Sequence, residues 1–108
     1  PFIISTGDHE PEAWAYETWG DVALLYCPPG YPAKLADVRL PVFLAHAGLS
    51  SHCLAPELPI AAVARGASIL EYHLKLDGTT PLDDSFSHTP ESFKAMVESV
   101  RRPEALLG

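Results

Sequence analysis

The sequence predicts an α/β fold: about four parallel strands with helices. Three observations point there. Short apolar runs recur along the chain, each too continuous for a strand with one wet face. Segments with helical spacing and helix-end residues follow several of them. The runs stop at Gly, Pro or small polar residues, which turn a strand into the next unit. The resulting order is strand, helix, strand, loop, strand, helix, strand, helix, as a parallel sheet requires.

Phe2 to Ser5 is a short apolar run halted at Thr6-Gly7, and reads as a buried strand and a turn. Pro11 to Trp19 reads as a short helix, with Glu10 and Glu12 placed to favour its positive end. Val22 to Cys27 is a second apolar run. Pro28-Pro29-Gly30 ends it, because proline donates no ladder hydrogen bond and glycine permits a sharp bend. Tyr31 to Leu40 reads as a loop with room for one helical turn, and a third strand is expected near Ala45 to Ser50. Leu58 to Gly66 reads as a helix, with Pro59 in its first turn and Gly66 as its stop.

Ser68 to Leu76 is the fourth predicted strand. Alternation puts Ile69, Glu71, His73 and Lys75 on one face and Leu70, Tyr72, Leu74 and Leu76 on the other. Asp77 to Ser87 reads as a polar loop. Thr89 is placed as an N-cap and Pro90 as the first residue of the last helix, whose apolar stripe is Phe93, Met96, Val97 and Val100. Arg101-Arg102 reads as a cation pair at that helix's end. Four parallel strands do not close a barrel, so at least one sheet edge needs a partner.

The composition, 47% hydrophobic and 19% charged over 108 residues, fits one small folded domain spanning 1–108. A net charge of −7 without a basic cluster argues against nucleic acid as a partner. The absence of a long apolar stretch argues against the membrane. Cys27 and Cys53 are too few for a disulfide framework and read as buried reduced thiols, with a cytoplasmic setting expected. A chain that opens directly on Pro1-Phe2-Ile3-Ile4 is expected to be an incomplete piece of something longer.

Reactive groups in parallel α/β folds gather at the carboxyl ends of the strands. The strand ends here offer Ser5 and Thr6; Cys27 and then Tyr31; Ser50, Ser51, His52 and Cys53; and Glu71 and His73, followed by Asp83 and Asp84. His52 and His73 close neighbouring strands and form a sensible ligand pair for a first-row divalent ion. The alternative is a pair of histidines simply hydrogen-bonded in a polar mouth. Glu71 shares a face with His73, so it is either a buried acid/base or the ion-pair partner of Lys75. A zinc site drawing on Cys27 and Cys53 matches no familiar ligand spacing. Ser5 and Thr6 could bind a phosphate or carboxylate or form a plain turn, and Asp83-Asp84 could meet a metal or a sugar hydroxyl or be a solvated acidic loop.

The motifs PFIISTG (1–7), ALLYC (23–27) with Tyr31-Pro32, DVRL (37–40), GLSSH (48–52), AAVARG (61–66), ILEYH (69–73) and PESFKAMV (90–97) occur in the order seen in sialic acid synthases. The chain resembles the C-terminal half of that family's (β/α)₈ barrel, so the implied fold is of TIM-barrel type, a partial or half barrel. The family condenses phosphoenolpyruvate with an N-acetylated hexose such as N-acetylmannosamine, and those are the implied partners. By position His52 and His73 resemble the family's metal histidines, the implied metal being manganese or magnesium. Ser5 and Ser50 resemble serines that contact phosphoenolpyruvate. Tyr31 resembles a substrate-pocket tyrosine, Glu71 a glutamate near the reacting carbons, and Asp83 an aspartate that contacts the amino sugar.

This chain departs from the family at several points. Ser51 stands where the family has an aspartate before its first metal histidine, and Tyr72 where it has a basic residue before the second. Pro29 falls where an asparagine or serine is expected, and the first two helices are shortened. The first four strands, which carry the phosphate-binding lysines, and the antifreeze-like domain have no counterpart in these residues. A degenerate, non-catalytic homologue acting as a binding or assembly module is therefore the competing reading. Pairing of two copies into a closed homo-oligomeric barrel is a third.

Overall fold

The computed structural model describes residues 2–9, 21–43 and 46–107. Five strands form one parallel sheet in sequential order: β1 (Phe2–Ser5), β2 (Val22–Tyr26), β3 (Gly48–Ser51), β4 (Ile69–Leu74) and β5 (Ser87–His88). Among the described residues two α-helices accompany them, α1 (Glu57–Ala64) after β3 and α2 (Pro90–Leu107) after β5. Sequential order without reversal is the order of a (β/α)-barrel wall; a doubly wound sheet reverses at its switch point. The expected helix Pro11 to Trp19 lies outside the described residues.

The centre of the sheet is the core. Leu24 and Leu25 alternate across β2 and both are about fully buried, at 1% exposure each, so this strand is covered on both faces. Tyr26, Phe43, Leu49, Leu58, Ala62 and Ala67 close the core between β2, β3 and α1. Gly48 is required where β3 meets β4: a Cβ there would stand 1.8 Å from the Ile69 carbonyl oxygen. The backbone joins the ladder one residue earlier, since Ala47 N–H donates to the Leu24 carbonyl at 2.7 Å.

The helices end as their sequences dictate. Gly66, at φ +102°, follows α1 and lets the Arg65, Gly66 and Ala67 N–H groups turn back onto the last carbonyls. Thr89 caps α2: its Oγ1 accepts from Ser92 N–H at 3.1 Å and its carbonyl from Phe93 N–H at 2.9 Å. Met96 and Val100 are buried on the inner face of α2, whereas Val97 of the expected stripe lies outside the buried set.

Several expectations are corrected. The first strand is exposed, not buried: Phe2 and Ile3 lie on an edge with β2 as their neighbour. The third strand runs from Gly48 to Ser51, Ala45 of the expected span lying outside the described residues, and a 3-10 turn, Leu35–Asp37, is the helical turn of the preceding loop. The loop from Asp77 to Ser87 holds a second 3-10 turn, Asp84–Phe86, and runs into a fifth strand. That strand is Ser-His, with no apolar run to announce it. Arg101 and Arg102 lie within α2, well short of its end, so they do not cap its dipole.

Candidate functional site

The β3–β4 register decides the geometry. Ser50 pairs with Glu71 and Ser51 with Tyr72. Alternation then carries His52 and His73 to the same side, one residue beyond Ser51 and Tyr72 on each strand. Their rings stand 4.9 Å apart, centroid to centroid, at 48°. Two imidazoles leaving adjacent strands at one level can reach a common point, and the pair satisfies the first requirement of a shared cation.

Each ring is held through Nδ1. His73 Nδ1 lies 2.6 Å from Asp83 Oδ2, so a neutral imidazole donates there and leaves Nε2 with its lone pair. His52 Nδ1 lies 3.5 Å from Cys27 Sγ. The thiol hydrogen of Cys27 is directed at the Pro28 carbonyl, 3.7 Å away, which leaves a sulfur lone pair to accept from His52 Nδ1–H. Both rings then present Nε2 as the free donor atom, the state a metal ligand needs.

The electrostatics agree. Burial lowers the His52 pKa below the ordinary imidazole value; the neighbouring His73 lowers it further, while Glu71 and Asp83 pull the other way. His52 is therefore held neutral. The hydrogen bond from His73 lowers the Asp83 carboxyl below the usual carboxylate range, so this partner stays charged. As a donor set, two imidazoles fit a first-row divalent ion. No group of three or more His, Cys, Asp and Glu converges among the described residues, so this chain would supply two ligands and leave the other positions open.

Other predicted residues fall at varying distances from this pair. Ser50 Oγ donates to Glu71 Oε1 at 2.6 Å, joining two candidates on neighbouring strands. Glu71 is exposed, which corrects the expectation of a buried carboxylate, and Lys75 pairs with Asp84 at 2.5 Å instead of with Glu71. Tyr31 lies against His52, with ring centroids 4.2 Å apart, and the residue as a whole is 70% exposed. Ser5 closes β1, with β2 between it and β3, and no hydrogen bond or ring contact joins it to the histidines. Thr6 bonds the buried His46, Oγ1 to Nε2, at 3.0 Å. Cys27 and Cys53 are buried free thiols, as expected.

Sequence reasoning missed Phe86. Its ring meets both histidines edge-on, 5.1 Å from His52 and 5.0 Å from His73, and stands 5.8 Å from Tyr31. It forms an apolar wall beside the imidazoles. Its position in a loop of polar residues hid it; an aromatic two residues past a paired aspartate was the available signal.

A sequentially ordered parallel sheet, with two imidazoles paired at neighbouring strand ends, is the wall of a (β/α)-barrel-type fold. The chain belongs to the NeuB family, whose model matches residues 1–108. It is 35% identical over 123 residues to a pseudaminic acid synthase of Campylobacter jejuni, covering 100% of this chain and 36% of that protein. It is 35% identical over 127 residues to the N,N'-diacetyllegionaminic acid synthase of Legionella pneumophila, again covering 100% of this chain and 36% of the relative. The human N-acetylneuraminate-9-phosphate synthase is 37% identical over 93 residues, 78% of this chain and 26% of its own length. Among solved structures, a spore coat polysaccharide biosynthesis protein E from Chromobacterium violaceum superposes with a TM-score of 0.64 at 25% identity, covering 82% of this chain and 29% of that one. The likeness to sialic acid synthases read from the motifs is thus borne out. The chain spans 36% of the length of the first of these relatives. No described helix is long and apolar enough to cross a membrane.

Proposed function

We propose that this chain is the metal-binding part of a nonulosonic acid synthase, an enzyme that condenses phosphoenolpyruvate with an N-acetylated hexose. The observation that carries the reading is the His52–His73 pair, with both Nδ1 atoms engaged, in a member of a family whose relatives include a pseudaminic acid synthase and an N,N'-diacetyllegionaminic acid synthase. His52 and His73 would hold a manganese or magnesium ion, which when bound supplies Lewis-acid polarisation of a sugar carbonyl oxygen. Asp83 keeps His73 in the ligating tautomer and Cys27 does the same for His52. Glu71, steadied by Ser50 and open to solvent, is suited to move a proton beside the pair. Tyr31 and Phe86 flank the rings and would limit water's access from the mouth. Ser5 and Ser50 are the proposed contacts for phosphoenolpyruvate.

The competing reading is a degenerate module that binds without turnover. It is favoured by Ser51, whose hydroxyl is spent on Cys53 where the family resemblance leads one to expect an aspartate. One experiment separates the two at the metal. Manganese titrated calorimetrically into this chain should bind, and His52→Ala and His73→Ala should each weaken binding at least about tenfold. Variants that bind like the wild type would remove the metal site and favour the degenerate module. The sugar substrate is then sought with the parent protein, by metal-dependent consumption of phosphoenolpyruvate.

A further inference from the structure

Lys75 and Asp84 form an ion pair that the synthase reading does not use. Lys75 follows the last residue of β4, and its N–H donates to the His88 carbonyl at 2.9 Å, so the ladder to β5 runs on through it. Alternation then puts its side chain on the face of β4 that carries His73, nearer the carboxyl end. Its Nζ lies 2.5 Å from Asp84 Oδ1, and His73 Nδ1 lies 2.6 Å from Asp83 Oδ2. Consecutive aspartates of one loop are thus held by alternate residues of one strand.

The loop also has internal bonds. Asp84 N–H donates to the Pro81 carbonyl at 3.1 Å, Phe86 N–H to the Asp83 carbonyl at 3.2 Å, and Ser87 Oγ to that same carbonyl at 2.7 Å. These fold the turn on itself. The pairing of Ser87 and His88 with β4 fixes where the loop leaves. The two side-chain links fix where the turn sits over the strand.

The Lys75 link differs from an ordinary surface pair, which contributes little. The Lys75 side chain is only 21% exposed, and its ammonium meets a carboxylate that neighbours the one His73 needs. Two adjacent carboxylates repel each other, and the ammonium cancels one of them. The link has a second effect through the 3-10 turn Asp84–Phe86. The residue that Lys75 holds opens the turn that ends on Phe86, whose ring meets His52 and His73 edge-on.

We propose that Lys75 is a positioning residue for the histidine pair. By holding Asp84 it seats the turn over β4, so that Asp83 keeps the His73 ring by Nδ1 and Phe86 stays against both imidazoles. Lys75 acts through the turn and is assigned no contact with the ion. Its purpose rests on the reading of His73 as a metal ligand, but its first test needs no metal.

Imidazole ¹⁵N resonances report the tautomer, because a protonated ring nitrogen and a bare one resonate far apart. At a pH above the titration of both rings, wild-type His73 should carry its hydrogen on Nδ1. Lys75→Met should move His73 toward the Nε2-protonated form and change the ring-current shifts that Phe86 imposes on His52 and His73. Lys75→Arg, which keeps a cation beside Asp84, should restore the wild-type spectrum; a general loss of stability would not follow that order. Manganese affinity should fall about threefold to tenfold in Lys75→Met, less than on losing a direct partner of a ligand, and should recover in Lys75→Arg. Lys75→Gln, with the same expected outcomes, replaces Lys75→Met if that variant does not fold. A folded Lys75→Met protein whose His73 keeps the wild-type tautomer and Phe86 shifts would overturn the proposal. So would wild-type manganese affinity in that variant. If the wild type binds no manganese, the metal reading fails, and the His73 spectrum still decides whether Lys75 seats the turn.

Discussion

His52 and His73 reach the same state by different means. One engages a sulfur through Nδ1 and the other a carboxylate, and Nε2 of each is outside those contacts. The carboxylate is the stronger partner, because a hydrogen bond to a charged acceptor is roughly twice as strong as a neutral one. Asp83 is also drawn from a loop ten residues beyond His73, so it ties that loop to β4. Asp83→Ala is expected to weaken manganese binding by about 10- to 100-fold while both ligand histidines remain. Calorimetric titration, with circular dichroism as the folding control, checks this; unchanged affinity would mean that Asp83 serves a substrate and not the ring. Sequence reading placed His52, His73 and Asp83 near one another but gave Asp83 a contact to the sugar. Its grip on His73 was hidden because the loop between them has no regular period from which to infer a distance. Cys27 was hidden for a different reason. A buried thiol and a ring-holding thiol look alike in sequence, and only the β2–β3 pairing brings Cys27 under His52.

At the scale of elements, the parts with strong local chemistry were legible. Thr89-Pro90 announces a helix start, and α2 has Thr89 as its cap and Pro90 as its first residue. Thr89→Ala should cost about 1 kcal/mol of stability, measured by urea unfolding at constant m-value, since it leaves the Ser92 N–H without its acceptor. A loss near zero would show that Ser92 or solvent takes over the cap. Gly66 ends α1 as its sequence position implied, because the chain there needs a positive φ. The parts that escaped were those whose pairing is set by distant residues. β5 is two polar residues, ordered by ladder bonds to His73 and Leu74. Its neighbour supplies what its own side chains lack. Arg101-Arg102 misled for the converse reason: a basic pair suggests a helix end, but α2 continues to Leu107, through Pro103.

For the whole molecule, the fold class was readable because parallel strands covered on both faces leave continuous apolar runs, and β2 is such a strand. β1 follows the same pattern in sequence yet lies exposed at the edge of the described sheet, as pattern alone cannot say how many neighbours a strand has. The sheet's two faces divide its chemistry. Toward one side β3 and β4 present Ser50, His52, Glu71 and His73; toward the other β4 presents Tyr72 to a cavity beneath α2. The central claim is that the two imidazoles share one cation. Its most direct measurement is the electron spin echo modulation of bound Mn²⁺, which counts coordinated imidazole nitrogens. The account predicts two such nitrogens in the wild type, and one in His52→Ala and in His73→Ala. Manganese that shows no imidazole coupling, or the same coupling in all three proteins, would contradict it.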